Sequence, residues 1–370
     1  MRRIAADYIY PISSPPLKKG IIEFDDQGKI LSLTDTHGNL NETSRLEYYN
    51  GVLVPGLILP CARIEPYIFG TKIKDPGILK SFVNRELETF ATNADTDKRF
   101  IDLDNKLHRS GIRGAGCISN RFHFFRNKSK GLLNYHSFIE IPDIDESDAY
   151  ELFNKAVEDI MTAWNEFRLP SSVIPFDCCR EEIMEHIIDF ATVHENPLVI
   201  GCSGNSTRSI IDNFSRILSR VTGKQTDQVM ADFRNQVIII TDNLSDVPES
   251  LNNNSFLLLP LDNTYTIDPL LASKDRWTRF SGNILFGSHL IEFNPDIPVI
   301  SEIKSLQTNN PRLSFNDLIK CFTINPSRAM GMDHILGSLI PGTKPGLNLI
   351  TDFNFGSFKL KETSEIRRII

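Results

Sequence analysis

Gly51-Val52-Leu53-Val54-Pro55-Gly56-Leu57-Ile58-Leu59-Pro60-Cys61-Ala62-Arg63-Ile64-Glu65 is the stretch on which the reading of the fold turns. An apolar run of strand length is interrupted by Pro-Gly, resumes for three apolar residues and then turns polar. A strand buried on both faces reads as a continuous apolar run, and a strand that delivers side chains to a site turns polar at its C-terminal end. The pattern predicts one strand over residues 52–59, with its working end at Cys61, Arg63 and Glu65.

Seven further short apolar runs follow, over 114–118, 137–141, 172–175, 197–202, 237–241, 256–260 and 283–286. Stretches with apolar residues at three- and four-residue spacing are interleaved with them, over 78–92, 147–166, 180–194 and 206–221. That spacing is the signature of an amphipathic helix. Eight buried strands, most of them separated by room for a helix, predict an α/β fold of the (β/α)8 barrel type, which occupies ~250 residues. Upstream, a strand over 5–10 precedes a hairpin in which Asp25-Asp26-Gln27-Gly28 turns between 20–23 and 29–33. Downstream, Leu347-Asn348-Leu349-Ile350 and Phe358-Lys359-Leu360 are again strand-like. Neither end can build a core alone. The expectation is a small β domain composed of residues 1–54 and 335–370, with the barrel inserted over 55–334.

The 370 residues accommodate that plan, and 41% hydrophobic with 24% charged residues is ordinary for a packed globular chain. A formal charge of −7, from 40 basic and 47 acidic residues without a long single-sign run, argues against a nucleic-acid partner. No run is long and apolar enough for a membrane span, and Asp7 interrupts any secretory h-region. The six cysteines, including the adjacent Cys178-Cys179, form no Cys-x-x-Cys pair, so reduced thiols in a cytoplasm are expected.

Near the end, Phe322-Thr323-Ile324-Asn325-Pro326-Ser327-Arg328-Ala329-Met330-Gly331 is followed by Leu336-Gly337-Ser338 and a Pro-Gly turn at Pro345-Gly346 before the strand. In the middle stands Leu259-Pro260-Leu261-Asp262-Asn263. With the Pro-Gly strand at 51–65, these stretches resemble the metal-dependent amidohydrolase superfamily, closest to its deaminase and chlorohydrolase branch. The resemblance covers nearly the whole chain. It implies a barrel enzyme that hydrolyses non-peptide C–N bonds with a divalent metal such as zinc. All these motifs belong to the scaffold, so they speak for fold more than for reaction.

The resemblance also implies a set of site positions, and this sequence departs from it at each. Cys61 and Arg63 stand where the two histidines after strand one belong. Phe176 replaces a substrate-facing histidine after strand four; Gly201 and Gly204 replace a ligand histidine and the general-acid glutamate after strand five. Thr241 falls at the ligand position after strand six, and His289 where the aspartate after strand eight belongs. A catalytic metal needs about three protein ligands and an open position. These seven departures, spread over five strand ends, predict loss of metal-dependent hydrolysis, with no cofactor and with a non-catalytic binding or scaffold role. The alternative is a hydrolase on C–N bonds with a site rearranged around Cys61, Asp242 and His289, by metal or by thiolate.

Arg63 projects a permanent cation into that volume, with Glu65, Asp177, Asp242 and Asp262 as internal candidates to pair it. Should none do so, Arg63, Asp242 and His289 are the ligand-binding candidates and a small anion the implied partner, beside the glycine-rich Gly201-to-Ser206 loop. Homo-oligomerisation stays open. Among the histidines, His136 reads as a core or rim residue, His186 and His194 as solvent-facing, and His37 and His334 as loop residues. His108 and His123 flank strand two, the latter inside the aromatic cluster Arg121-Phe122-His123-Phe124-Phe125-Arg126.

Overall fold

Pro55-Gly56 divides the opening apolar run between two sheets. The structure, a computed structural model, describes residues 1–41, 45–70, 94–119, 124–141, 146–175, 181–201, 207–241, 247, 251–260, 277, 280, 282–287 and 298–370. The chain starts with β1 (Arg2–Ile9), β2 (Leu17–Lys18), the hairpin β3 (Ile21–Phe24) and β4 (Ile30–Thr34), and β5 (Leu46–Val54). β6 (Leu57–Ala62) follows after two residues. The strand expected over 52–59 is therefore two. Pro55 has no N–H to continue a ladder, and the Gly56 N–H turns to the carbonyl of Pro345 (3.1 Å).

β5 stays with the chain ends. It lies parallel to β1 and antiparallel to β14 (Asn348–Ile350), which pairs with β17 (Ile366–Arg368). The resulting order is β17-β14-β5-β1-β3-β4, with β2 on β1. Strands from both ends of the chain thus share one sheet. Residues 358–360 do not join it as their apolar character suggested. Lys359–Leu360 (β16) forms a separate hairpin with β15 (Phe353–Asn354), while the edge is the basic β17, which has too few apolar residues to read as a strand.

β6 opens the barrel. It is followed by helix α1 (Glu65–Ile68), α2 (Ala94–Arg109), β7 (Ile112–Ser119), α3 (Phe125–Lys130), β8 (Asn134–Ile141), α4 (Glu146–Phe167) and β9 (Ser171–Pro175). Then come α5 (Glu181–His194), β10 (Leu198–Ile200), α6 (Thr207–Thr222), α7 (Thr226–Asp232), β11 (Val237–Ile240), β12 (Ser255–Pro260) and β13 (Ile284–Gly287). The helix expected over 78–92 lies outside the described residues. Two parallel four-stranded sheets, β6-β7-β8-β9 and β10-β11-β12-β13, meet where β9 adjoins β10 and β13 adjoins β6. Their eight strands make the (β/α)8 barrel.

Helix α4 shows why the sequence folds this way. Its buried residues Phe153, Ala156, Ile160 and Ala163 recur at three and four, so one stripe covers the strands. Along each strand alternate residues face that outer layer or the barrel interior. Ile58, Phe138, Ile238, Phe256, Leu258 and Leu285 belong to the inner core. After helix α8 (Val299–Asn309), the segment that follows the last two barrel helices, α9 (Phe315–Cys321) and α10 (Ile324–Ala329), adds Met330, Met332 and Leu336 to it. The Ile58 N–H donates to the Phe322 carbonyl (2.8 Å), so this segment plugs the end at which the strands begin. The other end is the mouth.

Candidate functional site at the barrel mouth

The pairing of β6 with β7 shifts between Leu59 and Ala62. Ile58 and Cys61 belong to the inner core, Leu57, Leu59 and Ala62 to the outer. The extra residue in β6 resets the alternation, so Arg63 falls on the inward side at the mouth. On β8, Tyr135, Ile139 and Ile141 pack outward and Phe138 inward, which puts His136 and Glu140 on the inward side too.

Arg63 and Glu140 meet. Arg63 Nη1 donates to Glu140 Oε2 at 2.7 Å and Nη2 to Oε1 at 2.8 Å. Only 12% of the arginine side chain and 4% of the glutamate side chain are exposed. Two parallel charge-assisted bonds in low dielectric form the strong geometry for this pair. Burial works against the arginine's charge, the Glu140 carboxylate outweighs it, and the guanidinium pKa lies above its ordinary value.

Sequence reasoning named four acids for this role and missed Glu140. A signal was present: Glu140 is the one charged residue in the apolar run 137–141. A buried strand holds a lone carboxylate only where something answers it. Of the four acids named, Glu65 is described. It is buried at the start of α1, accepts a hydrogen bond from Ser119 Oγ, and contributes to Arg63 through its charge alone. Asp177, Asp242 and Asp262 lie outside the described residues.

Cys61 is a thiol rather than a thiolate. Burial pushes its pKa well up, and the nearby Arg63 charge, which pulls the other way, does not offset that. His136 lies two inward positions below Glu140, buried, with Nε2 2.8 Å from Ser172 Oγ and its ring against Phe138. Desolvation, helped by the Lys128 charge, lowers its pKa to about 3. Its Nδ1 has no partner among the described residues. His136 is thus a neutral core residue.

The remaining positions are only partly brought together. Gly201 stands at the end of β10, and a Cβ there would lie 3.1 Å from the Ile240 side chain. Val237 and Ile239 pack outward and Ile238 inward, so Thr241 takes the outward parity at the end of β11. Phe176, Gly204, Asp242 and His289 lie outside the described residues, as do 202–206 of the glycine-rich loop. Of the aromatic cluster, Phe124 and Phe125 are described, and both are buried in the outer core against the strands. His186, His194, His37 and His334 are exposed, and His108 is buried.

The described residues do not fit a divalent metal. Where the amidohydrolase resemblance implies two histidines, this chain has a protonated thiol and a guanidinium. The guanidinium fork already holds the nearest carboxylate, and a second cation beside it would be repelled. Among the described residues, no three His, Cys, Asp or Glu side chains gather into a metal-holding group.

No family model and no curated protein sequence matches the chain. Solved structures do. The fold is similar to that of aminofutalosine deaminase from Helicobacter pylori in complex with methylthio-coformycin, with a TM-score of 0.67, 14% identity and 100% of both chains covered. An adenosine deaminase from Xanthomonas campestris with bound zinc is similar at a TM-score of 0.63 and 13% identity, over 94% of this chain and 84% of that one. Atrazine chlorohydrolase TrzN from Arthrobacter aurescens TC1, complexed with zinc, is similar at 0.65 and 12%, over 97% and 90%. The chain therefore has the fold of the amidohydrolase deaminases and chlorohydrolases. Among the described residues no helix is long and apolar enough to cross a membrane.

Proposed function

We propose that this chain is a non-catalytic user of the amidohydrolase fold, a binding or scaffold protein in which an internal ion pair stands where relatives of this fold hold a metal. The observation that carries this reading is the buried Arg63–Glu140 fork. Hydrolysis on this fold calls for a Lewis acid that polarises the substrate and lowers the pKa of a bound water. A guanidinium saturated by a carboxylate does neither. It fills the volume, neutralises itself and ties β6 to β8 across β7. The same reading takes residues 1–54 with 335–370 as one unit and 55–334 as the other, in a reducing cytoplasm to which the buried free thiols Cys61, Cys117 and Cys321 are suited.

The test is an assay of the protein, purified without chelator, against adenosine, guanine, aminofutalosine and atrazine, with and without added zinc. Background rates and an unchanged melting temperature on adding zinc are expected. Zinc-dependent release of ammonia or chloride, abolished in Asp242→Asn or His289→Ala, would overturn the reading in favour of a hydrolase rearranged around Cys61, Asp242 and His289.

A further inference from the structure

The opposite end of the barrel carries a second cationic group, which forms no ion pair among the described residues. Arg113, the second residue of β7, runs its side chain between two glycines. A Cβ on Gly56 would lie 2.1 Å from Arg113 Cγ, and one on Gly346 would lie 2.7 Å from the same atom and 3.0 Å from Nε. Gly346 also has a φ of +74°, in the region glycine favours. Each glycine follows a proline, and the Gly56 N–H donates to the Pro345 carbonyl. The two Pro-Gly steps, 290 positions apart in the chain, therefore close into one clamp around an arginine stem.

The clamp aims the guanidinium. Arg113 Nη1 donates to His108 Nε2 at 2.7 Å and lies 3.3 Å from the Leu132 carbonyl. Arg368, exposed on the edge strand β17, brings Nη1 to 3.4 Å from the same His108 nitrogen. Two guanidinium groups thus converge on one buried imidazole, which accepts from them and so is neutral. Desolvation and the two arginine charges agree with that, lowering the His108 pKa to about 4. The nearest acid, Asp104, accepts from the Leu132 and Leu133 N–H groups and from Tyr135 Oη, and forms no ion pair with either arginine. Burial and the Arg368 charge hold the Arg113 pKa below its ordinary value, the reverse of what happens at Arg63.

Two like charges that converge on one imidazole disfavour the fold by themselves, and an anion bound by both removes that cost. Arg113 Nε, buried in the clamp, has no acceptor, and Arg113 Nη2 and the Nε and Nη2 of Arg368 donate to none among the described residues, so the last three are the donors left for one. Donors from two guanidinium forks suit an oxyanion with several acceptor oxygens. We infer that Arg113, Arg368 and His108 form an anion site on the N-terminal face of the barrel that takes a phosphate group. This site is independent of the barrel mouth and of the function proposed for it.

The test compares two neighbouring arginines of β17. Both Arg367 and Arg368 are exposed, but Arg367 lies over the Tyr49 ring and does not reach His108. Calorimetric titration of the full chain with inorganic phosphate, and separately with glycerol 3-phosphate, is run at constant ionic strength on wild type, Arg367→Ala and Arg368→Ala. Wild type and Arg367→Ala should bind alike, and Arg368→Ala should bind about tenfold more weakly or not at all. Tighter binding of glycerol 3-phosphate would identify a phosphomonoester as the ligand, and tighter binding of phosphate the free ion. Absence of binding by both probes, equal losses in the two variants, or unchanged binding in Arg368→Ala would overturn the site.

Discussion

Arg63 on the inward side after β6 and Glu140 on the inward side of β8 hold each other by two parallel hydrogen bonds, reaching across the strand between them. Breaking a buried pair by removing one partner leaves the other charge uncompensated. Arg63→Met and Glu140→Leu should each lower unfolding free energy by about 3–5 kcal/mol, whereas the two combined should come within about 1–2 kcal/mol of wild type. Denaturant unfolding of the four proteins gives the cycle directly. Additive losses would mean that the two side chains do not depend on one another.

Cys61 should be inert in the native protein. Its thiol is buried, and burial holds it protonated against the pull of Arg63. Iodoacetamide at about pH 8 should leave Cys61 unmodified until denaturant is added, as read by mass spectrometry of the digested chain. Rapid alkylation of the folded protein would reveal an accessible thiolate and restore the nucleophile to consideration.

His136 should make the protein acid-sensitive. Its folded pKa, about 3, lies below the ordinary value of 6.5, so at intermediate pH the unfolded chain binds a proton that the folded chain does not. The contribution of His136 therefore rises with pH through this window, is fully present above about 6.5, and falls by about 1.4 kcal/mol per pH unit as pH drops toward 3. His136→Gln should remove that share of the slope and leave the share of His108, whose pKa is lowered to about 4, as measured by urea unfolding across the range. A variant with the wild-type slope would assign the acid sensitivity elsewhere.

Gly56→Ala should be destabilising although it replaces one small residue by another. The new Cβ would lie 2.1 Å from Arg113 Cγ and 2.6 Å from the Pro345 carbonyl oxygen, and one of these must move. A loss of about 1–3 kcal/mol is expected. Gly282→Ala, where a Cβ meets nothing within 4 Å among the described residues, is the control and should stay within about 0.5 kcal/mol of wild type. Equal behaviour of the two variants would show that the clamp around Arg113 is loose.

By itself the sequence determined the periodicities, and through them the alternation of strands and helices. The helix expected over 147–166 is Glu146–Phe167, and the strand expected over 172–175 is Ser171–Pro175. Buried apolar runs and 3.6-residue stripes are local patterns, legible one segment at a time. It also determined that Cys61 and Arg63 stand where the resemblance implies metal-binding histidines, because those positions follow directly from the Pro-Gly step. Only the tertiary structure decided what answers those residues. Glu140 is 77 positions from Arg63 and reaches it by inward parity on a strand two places round the barrel. That parity depends on a shift in β6 that no apolar pattern records. The same holds for Pro55-Gly56, which reads as a break within one strand and is the point where the chain passes from one sheet to another. The clamp it forms with Pro345-Gly346 exists because the pairing of β5 with β14 brings together segments that share no local signal. Charge pairing and close backbone approach are properties of distance in space, and the chain records only distance along itself.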